Sequence, residues 1–415
     1  MNNMLFQNVA ATQDNPNWEK YIYRQNPLYS REDDIRSPFA RDYTRVLHSM
    51  AYRRLKHKTQ VFFNIDNDHI CTRMEHVSHV DSVSLTIAKG LGLNDELTKA
   101  IAIAHDLGHA PFGHKGEEVI RNLAKQHLKQ NFWHEQNGLR FVDKIELLED
   151  NYKVKKNLDL TYAVRDGIIS HCGEVDKNGL KPRDISIPIE GFDMPGKYEA
   201  ITWEGCVVKM ADKIAYVGRD IEDAITLGIL DQTQQNELIK MARIHDQKAI
   251  NTTVIMHNLI IDICQNSNPE CGIKLSQRFN EQLKEIKEFN YRNIYHNPRL
   301  KPYFEYVELI ITQLFETLVS LYDNKHTLKG MFDNKKYAPA FFSSFAQWLS
   351  RYCCSSIVPD GELKKESLNC ENEKIYQELE TKVLYIQAVI DYISGMTDRF
   401  AIAAFNELLQ FGVHV

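Results

Sequence analysis

Histidine and acidic residues are concentrated in one short stretch, residues 104–117, which reads AHDLGHAPFGHKGE. It contains five residues of these types, namely His105, Asp106, His109, His114 and Glu117. Imidazole nitrogen and carboxylate oxygen are donors that divalent first-row metals bind well. Histidine also titrates near neutral pH, so the same side chains are suited to proton transfer. The stretch therefore favours a metal-dependent catalytic site over a polar loop that follows a core helix.

The adjacent His-Asp pair can bind one ion only near the end of a helix. Neighbouring residues on a helix point about 100° apart, so the two side chains diverge within a regular helix. The apolar run Leu97–Ala104 predicts a helix over about 95–105 that ends on the pair. Gly108, Pro111 and Gly113 interrupt the helical pattern directly afterwards.

Two further donors are found on other predicted helices. His76 lies at the start of a helix predicted over about 73–89, where a surface histidine is the alternative interpretation. Asp212 lies within an apolar helical stretch, where an unpaired carboxylate would be costly to bury. Metal coordination would remove that cost, and so would an ion pair with Lys209 or Lys213.

The helix that carries Asp212, predicted over about 202–227, has a row of polar side chains at helical spacing. The row consists of Asp212, Tyr216, Arg219, Asp220 and Asp223. An amphipathic helix with solvated charges would explain polar residues, but not so many within an otherwise apolar segment. The row therefore indicates a ligand-binding face.

The pattern of the whole chain predicts an all-α fold, because strand signals are few and short. Further helices are predicted at about 37–56, 116–129, 134–150, 158–170, 233–243, 247–266, 273–287, 303–323, 338–353 and 372–411. Residues 172–198 contain three prolines and four glycines without helical period. A loop of this length is typical of a lid or a subunit contact.

Composition limits the classes of protein that remain. The 415 residues include 50 basic and 56 acidic side chains, a net charge of −6, which disfavours nucleic acid as a partner. None of the eight cysteines forms a C-x-x-C pair. The chain has neither a signal-peptide pattern at its start nor the run of about 18 apolar residues that spans a bilayer. We therefore expect a cytoplasmic protein with reduced thiols and no membrane partner.

Five blocks of sequence resemble the HD-domain metallophosphohydrolases, and within them the deoxynucleoside triphosphate triphosphohydrolases of the dGTPase branch. They are SPFARDYTRVLHSMAYRRLKHKTQVF (37–62), TRMEH (72–76), HDLGHAPFGHKGE (105–117), WHEQNGLRF (133–141) and ADKIAYVGRDIEDAI (211–225). The third and fifth blocks are specific to this branch, whereas a bare HD pair would indicate only the superfamily. Together the blocks cover about residues 31–230.

The resemblance implies an HD-domain helical bundle with a helical C-terminal extension. It divides the chain into an N-terminal arm (1–36), a catalytic core (37–232) and a C-terminal region (233–415) that serves oligomerisation and completes the substrate pocket. It implies a divalent metal ion, and the sequence does not choose among Mn²⁺, Mg²⁺, Fe²⁺ and Co²⁺. The implied ligands are His76, His105, Asp106 and Asp212.

The resemblance also implies roles for other residues of the blocks. His114 and Glu117 would assist proton transfer, His134 matches a catalytic histidine, and His109 is either catalytic or stabilises the loop by a hydrogen bond. Five residues would bind substrate: Arg73 and Lys213 the phosphates, Tyr216 the sugar, and Asp220 and Gln60 the 3′-hydroxyl. Gln60 alternatively caps the local turn. A tyrosine at the sugar edge would favour deoxyribose over ribose.

The implied reaction is hydrolysis of dNTPs, dGTP among them, to deoxynucleoside and inorganic triphosphate. The alternatives are another HD-type phosphohydrolase, such as a 5′-nucleotidase or a signalling-nucleotide hydrolase, and a dNTP-sensing regulatory oligomer. The family further implies a homo-oligomer, from dimer to hexamer, and a dNTP activator. Single-stranded DNA is a further candidate partner, although the net charge does not support it.

Overall fold

The computed structural model describes residues 4–28, 33–62, 67, 69–172, 177–244, 252–333 and 338–410. At residues 216, 217, 252, 332, 333 and 339 the description covers the backbone alone. The described residues are predominantly helical, which confirms the predicted all-α class. Within them, no helix combines the length and the apolar character needed to cross a membrane.

The α-helices follow one another along the whole described chain. They are α1 (Trp18–Tyr21), α2 (Pro38–His48), α3 (Met50–Arg54), α4 (Arg73–Leu91), α5 (Asp95–Ala104), α6 (Gly113–Leu128), α7 (His134–Arg140), α8 (Tyr162–Ser170), α9 (Trp203–Thr226), α10 (Gln232–Arg243), α11 (Thr252–Asn266), α12 (Gln277–Asn290), α13 (Lys301–Ser320), α14 (Thr327–Asp333), α15 (Pro339–Ser350), α16 (Glu362–Leu368), α17 (Lys382–Ser394) and α18 (Asp398–Leu409).

A small sheet is formed by three short strands, β1 (Leu147–Glu149), β2 (Lys155–Asn157) and β3 (Cys370–Glu371). The central strand β2 pairs antiparallel with β1 and parallel with β3. Short π-helical turns follow α7 at Phe141–Ile145 and α12 at Tyr291–Tyr295.

The chain folds into two compact units, each built from non-contiguous segments. The first unit comprises residues 1–48, 60–107 and 159–301, and the second comprises 49–59, 108–158 and 302–415. The sequence-based division at residues 36 and 232 stays a prediction.

In the first unit, α4, α5 and α9 pack against one another, and α8 packs against both α5 and α9. Local sequence defines the ends of these helices. Thr72 and Glu75 form a capping box at the start of α4, and Gly92 ends the helix in the left-handed region at φ +80°. The side chain of Asn94 caps α5 by accepting hydrogen bonds from the backbone N–H groups of Glu96 and Leu97.

In the second unit, α6 packs against α17, and a charge network joins α17 to the end of α7. Arg140 donates to Asp391 at 2.6 Å, and the hydroxyl of Tyr376 donates to the same carboxylate at 2.6 Å. Because Asp391 is almost fully buried, these charge-assisted bonds offset the cost of removing its carboxylate from water.

Three predicted helices are wrong in extent. The helix predicted over 37–56 breaks at Ser49, whose side chain accepts a hydrogen bond from the N–H of Tyr52 and starts α3. The helix predicted over 134–150 ends in the π-helical turn and gives way to β1. The helix predicted over 372–411 is two helices, because α17 ends at Gly395 and Thr397 caps α18.

Candidate functional site

The first unit brings the four predicted metal ligands together from three helices. His76 lies on α4, His105 and Asp106 directly follow α5, and Asp212 lies on α9. The Nε2 atom of His76 lies 3.0 Å from Oδ1 of Asp212 and 3.9 Å from Oδ2 of Asp106. The Nε2 atom of His105 lies 3.5 Å from Oδ1 of Asp106 and 3.8 Å from Oδ1 of Asp212. Donors that bind one ion at about 2.1 Å lie about 3 to 4 Å apart, so the arrangement fits a shared metal ion.

The hydrogen bonds of His105 leave one ring nitrogen available for a metal. Its Nδ1–H donates to the carbonyl oxygen of Ala102 at 2.6 Å, which leaves the lone pair on Nε2. This Nε2 atom is buried and makes no hydrogen bond within the described part of the chain. A buried, unbonded ring nitrogen is costly unless a ligand such as a metal ion binds it.

The local charges favour an ionised carboxylate in this cluster. Burial alone would raise the pKa of Asp212, but the hydrogen bond with His76 and the attraction of the His105 ring when it is protonated outweigh it. The pKa of Asp212 is consequently lowered to about 2, so the carboxylate is ionised at neutral pH. The alternative ion pair with Lys209 is not formed, since Lys209 pairs with Glu199 at 3.0 Å.

Arg73, predicted to bind phosphate, is fully buried beside the metal cluster. Its Nη1 donates to Oδ2 of Asp106 at 2.7 Å. Its Nε and Nη2 atoms are buried and have no hydrogen-bond partner among the described residues. Arg73 therefore fixes the carboxylate of Asp106, which is predicted to bind metal, and keeps two donors for another anion.

The polar row on α9 is only partly available for a ligand. Arg219 pairs with Glu222 at 2.7 Å, and the carboxylate of Asp223 accepts a hydrogen bond from the backbone N–H of Cys71 at 3.0 Å. The side chain of Tyr216 lies outside the described residues. Asp220 is buried, and the hydroxyl of Tyr295 donates to its Oδ2 atom.

The Asp220–Tyr295 contact was not predicted from the sequence. Burial raises the pKa of Asp220 to about 7, although the hydrogen bond from Tyr295 opposes this shift. Tyr295 lies in the π-helical turn after α12, outside every motif identified above. The one feature of the sequence that marks this segment is its closely spaced aromatic residues within 289–295.

Lys213 lines a recess in the first unit together with three further lysines that sequence analysis missed. The lining residues are Lys177, Met210, Lys213, Asn280, Leu283, Lys284 and Lys287. Lys177 also pairs with Glu199 at 3.0 Å. Because Glu199 neutralises Lys177, the excess positive charge at this recess comes from the other lysines, and it favours an anion over a cation.

Gln60 is buried, and its carboxamide oxygen has no hydrogen-bond partner in the part of the chain that the structure describes. This oxygen therefore does not cap the local turn, which was the alternative to a role in binding substrate.

The second unit contains the four predicted catalytic residues. The Nδ1 atom of His134 lies 3.0 Å from Oε2 of Glu117, and Nδ1 of His109 lies 4.0 Å from the same oxygen. The rings of His109 and His134 stack with centroids 3.8 Å apart, and the ring of His114 lies 5.9 Å from that of His109. Arg121 donates to the other oxygen of Glu117 at 2.6 Å.

Glu117 is ionised within this group of histidines. Burial by itself would raise the pKa of the Glu117 carboxyl, but the charge and hydrogen bond of His134, with the charges of His109 and His114, hold it well below its usual range. An ionised carboxylate bonded to an imidazole orients the ring and stabilises its protonated form. The cluster can therefore hold and transfer a proton.

Gly108 allows the backbone around this cluster to pack closely. A Cβ atom at Gly108 would lie 2.0 Å from the carbonyl oxygen of His134 and 2.1 Å from the amide nitrogen of Gly138. Asn137 reinforces the contact by donating to the carbonyl of Gly108 at 2.7 Å. Any larger residue at 108 would displace α7, on which His134 is the first residue.

Comparison with known proteins extends over most of the chain. The model of the HD domain matches residues 73–217, and that of the phosphohydrolase-associated domain matches residues 273–338 and 363–407. A deoxyguanosinetriphosphate triphosphohydrolase-like protein from Caldanaerobacter subterraneus subsp. tengcongensis is 32% identical over 90% of this chain and 86% of its own length.

Proteins with the same description in two other bacteria are similarly related. The one from Clostridium tetani is 32% identical, over 92% of this chain and 88% of its own. The one from Geobacter sulfurreducens is 31% identical, over 93% of this chain and 92% of its own. The chain therefore belongs to the HD-domain phosphohydrolases, within the family of deoxyguanosinetriphosphate triphosphohydrolase-like proteins.

Proposed function

We propose that the protein is a metal-dependent enzyme that hydrolyses dNTPs, dGTP among them, to deoxynucleoside and inorganic triphosphate. The observation that carries this proposal is the cluster of His76, His105 and Asp212, with Asp106 next to both histidines and the buried guanidinium of Arg73 against Asp106. These residues would hold a divalent ion, which when bound polarises a phosphoryl oxygen and lowers the pKa of a bound water. Mn²⁺, Mg²⁺, Fe²⁺ and Co²⁺ all suit this mixture of nitrogen and oxygen donors.

Phosphoryl transfer depends mainly on positioning and on neutralising negative charge. The remaining donors of Arg73 suit phosphate oxygens next to the metal, and the lysines around Lys213 suit the rest of a polyphosphate.

Asp220 would accept a hydrogen bond from the 3′-hydroxyl of the sugar, with Tyr295 fixing the orientation of its carboxylate. Gln60 would bind the same hydroxyl, and Tyr216 would pack on the sugar edge, by resemblance to the family.

We assign proton transfer to His114, Glu117, His134 and His109, also by resemblance to the family. The hydrogen bond between His134 and Glu117 supports this role, because it pairs a titrating imidazole with an ionised carboxylate. The pair would hold a proton on the ring of His134 and release it to the departing oxygen of the nucleoside.

The proposed function also includes a homo-oligomer whose contacts involve residues 233–415, and activation by a dNTP. Both rest on the family resemblance. Sedimentation with and without added dNTPs would test them.

The test of the proposal is incubation of metal-stripped protein with each dNTP and with GTP, with and without Mn²⁺, and separation of products by anion exchange. We expect deoxynucleoside and triphosphate only with Mn²⁺, and their loss in Asp212→Ala. Release of nucleoside monophosphate or of single phosphates would instead indicate another HD-type hydrolase.

A further inference from the structure

The loop formed by residues 108–112, which leads into α6 in the second unit, has a strained backbone. Its last residue, Phe112, lies in the left-handed region at φ +63° and ψ +28°. A bulky aromatic residue rarely adopts this conformation, which persists only where the surrounding structure enforces it. The turn is also tight, because a Cβ atom at Gly116 would lie 1.8 Å from the carbonyl oxygen of Pro111.

The buried carboxylate of Asp398, the first residue of α18, holds the end of this loop. Its Oδ1 atom accepts a hydrogen bond from the backbone N–H of Phe112 at 2.8 Å. Its Oδ2 atom accepts one from the backbone N–H of Thr59 at 2.9 Å. With a backbone N–H group on each oxygen, the carboxylate is fixed in position and enforces the conformation of residue 112.

Lys58, the neighbour of Thr59, holds the beginning of the same loop. Its Nζ atom donates to the carbonyl oxygen of His109, and at 3.0 Å to that of Ser394, the last residue of α17. Its side chain is 2% exposed, and lysine is almost never so buried unless its ammonium group is satisfied. Both ends of the loop are thus tied to the segment 394–398, which lies within the match to the phosphohydrolase-associated domain.

The loop determines where the side chains proposed for proton transfer lie. His109 belongs to the loop, and its ring stacks on that of His134 with centroids 3.8 Å and planes 18° apart. The helix α6, which starts directly after the loop, carries His114 and Glu117. A shift of the backbone at 109–112 therefore moves these groups relative to His134.

We propose that Lys58 and Asp398 are positioning residues for the group of His109, His114, Glu117 and His134, and that they act through the backbone of residues 109–112. This inference rests on the function proposed above, and it gives the segment 394–398 a part in catalysis. Metal binding should not depend on these two residues, because Asp106 is fixed by Arg73 instead.

Steady-state kinetics of Asp398→Asn and Asp398→Ala tests the proposal. Asparagine keeps one acceptor oxygen for the two N–H groups, whereas alanine keeps none. We expect kcat for dGTP to fall by about tenfold in the first variant and about 10²-fold in the second, the cost typical of a reacting group displaced by about 1 Å. KM and Mn²⁺ affinity should stay unchanged, and Lys58→Met should likewise lower kcat alone. Asp398→Asn and Lys58→Met carry the test if the alanine variant does not fold.

Amide hydrogen exchange over residues 108–116, followed by mass spectrometry without substrate, supplies a readout that does not depend on turnover. Exchange there should become faster in the Asp398 and Lys58 variants, because the bonds that keep the loop closed are lost. The matched control is Tyr385→Phe. Tyr385 is buried on α17, and its hydroxyl donates to the carbonyl oxygen of Leu318 on α13 at 2.6 Å. This variant should melt at a lower temperature and keep both kcat and the exchange rates of the loop.

The outcomes separate this inference from the proposed function. A kcat in the Asp398 variants equal to that of wild type, or reduced no more than in Tyr385→Phe, would overturn the inference alone. Absence of dGTP hydrolysis by wild type would overturn the proposed function, and the exchange rates would then still decide whether Lys58 and Asp398 hold the loop. Exchange over residues 108–116 as slow as in wild type would overturn the inference in either case.

Discussion

Arg73 donates a hydrogen bond from Nη1 to Oδ2 of Asp106 at 2.7 Å, and both side chains are buried. The arginine thus fixes the carboxylate of the HD pair while two of its other nitrogens stay unbonded among the described residues. One guanidinium can therefore position a metal ligand and receive a phosphate, which links the two halves of the proposed chemistry.

Replacing Arg73 by lysine should separate charge from geometry. Lysine keeps the positive charge but has a single nitrogen instead of a planar fork, so it cannot reproduce the geometry with which Arg73 would bond Asp106 and a phosphate. We expect kcat/KM for dGTP to fall by roughly 10²-fold or more, the usual effect of losing a preorganised contact to a reacting group. Steady-state kinetics measures this. Arg36→Lys is the control, since Arg36 is exposed and pairs with its near neighbour Asp34; an equal effect of both changes would contradict the role of Arg73.

Asp220 should make stability depend on pH. Burial raises its pKa from 3.8 to about 7 in the folded state, so between these values the folded protein binds a proton that the unfolded chain releases. Wild type therefore loses stability as pH rises through this window, and Asp220→Asn lacks the part of this loss that Asp220 contributes. As pH rises through this window, the unfolding free energy of Asp220→Asn minus that of wild type should increase by on the order of 4 kcal/mol. This figure takes about 1.4 kcal/mol for each unit by which the pKa is raised.

Urea unfolding of both proteins at several pH values across this window measures that shift. Above the window the difference should become constant. A difference that does not vary with pH would show that Asp220 titrates at its ordinary value.

Glu117→Gln should remove the proton-handling function without affecting metal binding. The amide still occupies the space beside His134 but carries no charge to stabilise the protonated ring. We expect kcat to fall by roughly 10²- to 10⁴-fold, the range typical of general acid–base groups, with Mn²⁺ affinity unchanged. The neighbouring Glu118 is exposed, and among the described residues its side chain bonds only Lys115. Glu118→Gln should therefore retain full activity. Similar losses in both variants would argue against a specific role for Glu117.

The lysine recess should contribute to substrate binding through charge. Lys284→Gln and Lys287→Gln should each raise KM for dGTP several-fold at low salt, and the effect should shrink as ionic strength screens the charges. Lys240 on α10 is exposed and outside the recess, so Lys240→Gln supplies the control. The assignment fails if KM responds to all three substitutions alike, or if salt does not change the response.

The position of the HD pair at the end of a helix was predictable because its signals are local, whereas His76 and Asp212 were combined with it by resemblance to the family. Gly108 and the residues after it interrupt a strongly apolar helix at the His-Asp pair, and capping residues such as Asn94 set where that helix begins. Asp398 and Tyr295 were missed because their partners lie far away in sequence. Asp398 meets Phe112 only because α17, which ends shortly before it, packs on α6. Tyr295 meets Asp220 only because α12 packs on α9.

Errors in helix extent had a different origin. Leu147–Glu149 has the composition of a helix, but pairing with the nearby segment Lys155–Asn157 makes it a strand. The break between α17 and α18 does have a local signal, since Gly395 and the cap Thr397 are separated only by Met396. The apolar periodicity on both sides hid that signal.

The most direct test of the central claim is hydrolysis of dGTP in ¹⁸O-labelled water with Mn²⁺ present, followed by mass spectrometry of both products. Attack of water on the α-phosphorus puts the label in inorganic triphosphate and leaves deoxyguanosine unlabelled, which is the result we predict. Labelled deoxyguanosine, or label in a nucleoside monophosphate, diphosphate or single phosphate, would contradict the proposed reaction.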